Sequence, residues 1–147
     1  MTKILTFVFV SLTLTSCGQT AKDKSTTDIT TTKSSKHLNI PGTRVFLIPP
    51  TDFVTSKTLS AIEKGNQGLL QVMDLDGGSF YTNAATFSKE KFEQKGVKVF
   101  EYNEFKINNY PAKMVLVQGD PQTKMYNLVF GDSTFSTSVM GVFVAND

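Results

Sequence analysis

An α+β fold, an antiparallel β-sheet meander with one short helix, is predicted for residues 37–147 by three observations. Stretches rich in β-branched and aromatic residues follow one another from Val97 onward, separated only by short turn signals. A single stretch, Ser88 to Lys95, carries both a helix start and a helix stop. The chain has 12 Phe and no Trp, so phenylalanine supplies the bulk that a small half-buried sheet must bury.

Before the domain comes an export signal. Lys3 precedes the apolar run Ile4 to Leu14, and the small pair Thr15-Ser16 follows it. This charged, apolar, small order is that of a secretory signal, and the run is shorter than the roughly 20 residues a membrane-spanning helix needs. Leu14-Thr15-Ser16-Cys17 resembles the lipobox of bacterial lipoproteins. The resemblance implies cleavage after residue 16 and lipid, including palmitate-type acyl chains, on Cys17. Cys17 is the only cysteine, so it has no partner for an internal disulfide, and lipidation accounts for it. Several acyl chains together anchor stably.

Residues 17–36 are rich in Thr, Ser and Lys, with Ile29 the only large apolar side chain, and read as a disordered stalk. His37, the only histidine, ends it and is expected to be solvated. The context Ser16-Cys17-Gly18-Gln19 resembles lipoproteins of the Bacteroidetes type, in which an acidic run after the cysteine goes with surface display. Asp23 here stands alone between Lys22 and Lys24, so the expected place is the outer membrane, facing the periplasm.

Within the domain, Pro41-Gly42 turns the chain into a strand over Thr43–Ile48, stopped by Pro49-Pro50. A mixed stretch with Phe53, Leu59 and Ile62 reaches a turn at Gly65-Asn66, and Gly68–Leu75 reads as a second strand ended by Asp76-Gly77-Gly78. The helix over Ser88–Lys95 has Ser88 as its cap, Phe92 toward the core and Gly96 just past its end. Strands follow over Val97–Ile107, Pro111–Val117, Thr123–Phe130 and Thr134–Val144. Their turns fall at Asn108-Asn109-Tyr110, Gly119-Asp120-Pro121 and Gly131-Asp132. Consecutive strands on short turns are expected to pair as an antiparallel meander.

Ile40-Pro41-Gly42-Thr43 before a strand, Pro49-Pro50, Asn108 to Lys113 opening another strand, Phe130-Gly131-Asp132 and Gly141-Val142-Phe143 resemble the PsbP-like superfamily. Its members include an extrinsic photosystem subunit, a Ran-binding import factor and many bacterial lipoproteins. The resemblance covers residues 37–147 as a rhythm of turns. It implies an antiparallel sheet with helices on its faces, and a role in binding proteins; no functional residue is carried over. The family pattern continues into a C-terminal helix, whereas this chain stops at Asp147. Either the domain is shortened or the resemblance fails there; for a shortened domain, apolar side chains of Met125–Phe130 or Val139–Val144 are expected to face water, with self-association or hydrophobic-dye binding as a result.

Charge and motifs exclude several functions. From Leu38 to Asp147 ten Lys and Arg stand against eleven Asp and Glu, so the domain is near neutral and no nucleic acid is expected as a partner. Arg44 is the only arginine. Asp74-Leu75-Asp76-Gly77-Gly78 begins like a calcium loop, but the twelfth position is Ala85 instead of glutamate, and no metal or cofactor is expected. Glu101 and Glu104, three apart on a strand, fall on opposite faces and do not form a carboxylate pair. There is no phosphate-binding glycine loop. With Cys17 and His37 both outside the domain, no catalytic residue is assigned and an enzyme is not expected. The expectation is a lipid-anchored, non-catalytic binding or assembly module that contacts another envelope protein. The alternative is a small hydrolase or a carrier of an apolar ligand.

Overall fold

The computed structural model of the chain describes residues 27–145. The expected signal peptide over 1–16, Cys17 and residues 17–26 of the expected stalk lie outside the described residues.

β7 (Lys98–Ile107), β8 (Tyr110–Asp120), β9 (Thr123–Gly131) and β10 (Ser136–Val144) form an antiparallel meander, neighbours in space as they are in sequence. β6 (Gly68–Leu75) joins the far side of β10, with Val139 opposite Val72, and β5 (Ala61–Lys64) and β4 (Val54–Thr55) extend the sheet from there. On the other edge β1 (Asp28–Ile29) lies parallel to β7, Ile29 opposite Ile107. The result is one open eight-stranded sheet. β2 (Leu38–Asn39) and β3 (Phe46–Leu47) make a separate two-stranded ribbon.

Side chains alternate across a strand, so the register assigns each to a face. One face carries Ile62, Leu70, Val72, Leu128, Phe130 and Val139, and the ribbon lies over part of it. Ile40, Ile62 and Val72 are fully buried there, with Val45, Leu47 and Phe53 packed around them. Burial of each such side chain is worth roughly 1.5–3 kcal/mol. The other face carries Val115, Val129 and Met140, and two helices cross it between β6 and β7: α1 (Phe80–Asn83) and α2 (Lys89–Glu93). Phe80 and Ala84 bury Val129.

Four expectations are corrected. One helix was expected and the described residues form two. α2 has the Ser88 cap read from the sequence, its hydroxyl accepting from the Lys91 N–H. α1 is a single turn capped by Ser79 and held by a hydrogen bond from Asn83 to Ser136 at 2.6 Å. The strand expected over Thr43–Ile48 shrinks to Phe46–Leu47, because it pairs only with the equally short β2. β8 runs through the expected turn at Gly119-Asp120 to Asp120, whose carboxylate then accepts the Gln122 and Thr123 N–H groups and closes the turn. The stalk was expected to be unstructured up to Lys36, but Asp28–Ile29 belong to the sheet.

In the two segments expected to face water, Tyr126 and Val144 are exposed, Val129 is buried and the other large apolar side chains are half-buried; Tyr126 stacks on Phe143 with centroids 5.7 Å apart.

Candidate functional site

The hairpin turn between β7 and β8 positions the site. Asn108 and Asn109 have φ of 49° and 69°, the left-handed pair that a two-residue hairpin requires and that asparagine tolerates best among residues with a Cβ. In that conformation the Asn108 carboxamide reaches the incoming chain. Its Oδ1 accepts from the Thr31 N–H at 2.7 Å and its Nδ2 donates to Thr31 Oγ1 at 3.1 Å. The Asn109 N–H donates to Asp28 Oδ1, and the Lys106 and Asn108 N–H groups donate to the Thr27 and Ile29 carbonyls. Residues 27–37 thus become an arm fixed to the sheet edge.

A tight turn redirects the arm. The His37 N–H donates to the Ser34 carbonyl, while the Ser34 N–H donates to His37 Nδ1 at 3.0 Å. An acceptor Nδ1 leaves the ring proton on Nε2. His37 is half-buried and locks this turn, which corrects the expectation of a solvated residue.

Between this arm with its ribbon and the open sheet lies a groove of about 720 Å³. Its floor is the sheet face with Ile107, Leu128, Phe130 and Val139; its sides include Val45, Leu47, Phe46 and Ile48 from the ribbon; and Tyr110 and Phe135 also line it. Phe135 meets Tyr110 edge to face at 5.2 Å and Phe130 at 6.5 Å. The turn after β9 puts Phe135 there. Gly131, at φ 154°, lies so near the Phe135 carbonyl that an added Cβ would come within 2.2 Å of it. Asp132 Oδ1 gathers the Thr134 and Phe135 N–H groups and the Thr134 hydroxyl, and these bonds hold its carboxyl below the ordinary range.

Two cations stand at the rim, each over an aromatic face. Lys33 Nζ is 3.4 Å from the Phe46 ring centre, and the Arg44 guanidinium is 4.4 Å from that of Phe135. Arg44 is tied to Asp74, Nε at 3.3 Å from Oδ1 and its backbone N–H donating to Oδ2 at 3.1 Å; the Thr137 hydroxyl donates to Oδ1 at 2.6 Å. Burial raises the Asp74 pKa, but the bonds from Thr137 and Arg44 outweigh it and hold the group below its ordinary value. Asp74, weighed from the sequence as the start of a calcium loop, is thus committed to holding Arg44, which lines the groove. Among the described residues no cluster of three or more His, Cys, Asp and Glu side chains could hold a metal ion.

Glu101 and Glu104 lie on opposite faces of β7, opposite Leu116 and Lys113. Glu101 accepts from Asn103, and Glu104 from the Tyr102 hydroxyl, whose pKa is pushed up by burial and by that carboxylate. The Ser34 hydroxyl is 3.0 Å from His37 Nδ1, and no carboxylate bond to this histidine is present among the described residues. Sequence reasoning missed the groove, which joins residues between Thr31 and Val139; only the uniqueness of Arg44 and His37 marked two of its rim positions. Among the described residues no helix is long and apolar enough to cross a membrane. Comparison with family models, with curated proteins and with solved structures gives no match for this chain.

Proposed function

We propose that this chain is a non-catalytic binding module of the bacterial cell envelope, tethered by lipid on Cys17 to the outer membrane on its periplasmic side, and that its groove takes an apolar ligand. One observation carries the reading: the ribbon packs on the sheet only around Ile62 and Val72 and leaves the face toward Ile107, Leu128 and Phe130 open as a groove. Phe46 and Tyr110 remain 42% and 39% exposed beside a cavity of about 720 Å³. A concave, largely apolar cleft with a few polar groups at its rim is the usual form of a small-molecule site, within the range of about 300–1,000 Å³ such sites occupy.

The non-catalytic part is read from the sequence, which offers no catalytic constellation. Ser34 and His37 are adjacent, but both the Ser34 N–H and its hydroxyl converge on Nδ1, and no carboxylate orients the imidazole among the described residues. The PsbP-like likeness belongs to the same proposal and is supported by the turn-and-strand rhythm of the quoted residues. A second reading, contact with another envelope protein, is favoured by Met73 and Val144, which lie exposed on the helix-bearing face.

The test uses the full chain carrying Cys17→Ser and the neutral fluorophore N-phenyl-1-naphthylamine. The chain has no tryptophan to interfere. Saturable binding with a blue shift is expected, weakened about tenfold in Phe46→Ala by loss of an aromatic contact. Absence of saturable binding would refute the groove as a ligand site.

A further inference from the structure

We propose that the groove selects single-chain amphiphiles with an anionic end, fatty-acid-type carboxylates, with Lys33 as the head-group contact. This rests on the binding reading above and adds the ligand's chemistry to it.

The charge at the rim is unbalanced. Arg44 is neutralised by Asp74, both of whose oxygens are engaged by Arg44 and Thr137. Lys33 has no carboxylate within ion-pair distance among the described residues, and its ammonium lies over the face of Phe46, with which it lines the groove. The mouth therefore carries one uncompensated positive charge beside an apolar floor. His37 adds a second donor to the lining, the Nε2–H left by the bond that its Nδ1 accepts.

The same geometry disfavours two other occupants. A cationic amphiphile would be drawn to aromatic faces, but one face each of Phe46 and Phe135 is already taken by the protein's own Lys33 and Arg44, whose charges also repel it. A peptide would have to bury its amides against a floor formed by a sheet face, where the main-chain groups of β8, β9 and β10 are spent on one another. Each amide left without a partner costs free energy. An alkyl chain has no such groups, and its carboxylate finds Lys33 at the mouth.

Displacement of N-phenyl-1-naphthylamine from the full chain carrying Cys17→Ser separates these cases, with dodecanoate, dodecanol and dodecyltrimethylammonium as competitors. Dodecanoate should displace the probe at about fivefold lower concentration than dodecanol, the size expected of one exposed charge pair, and dodecyltrimethylammonium should be the weakest. Lys33→Gln should bring the dodecanoate-to-dodecanol ratio to about one, whereas Lys57→Gln, which lies away from the groove, should keep it near five. Reading the ratio within each variant cancels any change in probe affinity. Equal displacement by dodecanoate and dodecanol in the parent chain, or a ratio that survives Lys33→Gln, would overturn the proposal while leaving the groove as an apolar site. Failure of the probe to bind at all would overturn the groove reading, and this proposal with it.

Discussion

Asn108 grips Thr31 across 77 positions of chain, its Oδ1 accepting from the Thr31 N–H and its Nδ2 donating to the Thr31 hydroxyl. One side chain thus serves two purposes, since the same residue takes the left-handed conformation of the hairpin turn. Asn108→Gly keeps the turn and removes the grip. The expected loss is about 1–2 kcal/mol, two hydrogen bonds in a largely exposed setting. Limited proteolysis should then cut within residues 27–37 sooner than in the parent chain. An unchanged cleavage pattern would show that β1 pairing alone holds the arm.

Asp74 predicts an acid-sensitive groove wall. Its folded pKa lies below its ordinary value, so the stability it contributes is complete above the ordinary carboxylate range. That stability is lost as pH falls through the depressed value. Asp74→Asn should lower stability at pH 7 by about 1–2 kcal/mol, with solvent screening limiting the size at a partly exposed site. The difference between the two proteins should begin to shrink as pH falls through the ordinary carboxylate range near about 4 and vanish only below the depressed value. Urea midpoints measured from pH 7 to pH 3 check the sign.

Gly131→Ala should be among the most damaging single substitutions. The new methyl group meets backbone at Phe135 and Ser136, neither of which can rotate away as a side chain could. A loss of about 3 kcal/mol or more is expected, together with weaker probe binding as Phe135 leaves Tyr110 and Arg44. Parent-like stability would mean that the β9–β10 turn relaxes freely.

For the anchor, Cys17→Ala should abolish metabolic labelling with palmitate and release the product from the membrane fraction. Retention of the labelled band would refute lipidation at this residue.

The strands from β6 to β10 were legible because their boundaries are chemical. Gly68 and Asp76-Gly77 bracket β6, Asn108-Asn109 separates β7 from β8, and Gly131-Asp132 ends β9. What stayed hidden depends on partners distant in sequence. Ala61–Lys64 becomes β5 because β6 pairs with it, and its own mixture of apolar and charged residues gives no strong alternation. Phe80–Asn83 is too short for a helical period and exists because Ser79 caps it and Val129 takes its Phe80. Ile29 was visible as the lone apolar residue of a polar stretch, but its place beside Ile107 is tertiary information. The groove was illegible for the same reason, as no local pattern joins Lys33 to Phe46 or Arg44 to Asp74.

The arm that forms one wall of the groove is attached to the sheet by a strand of only two residues and the Asn108 grip, whereas the floor belongs to strands of nine to eleven residues each. A mechanical pull on the chain ahead of Thr27 reaches that short attachment first. β1 and the grip act as a fuse in series with the load, yielding before the meander feels tension, so that traction would widen the groove and leave its floor intact.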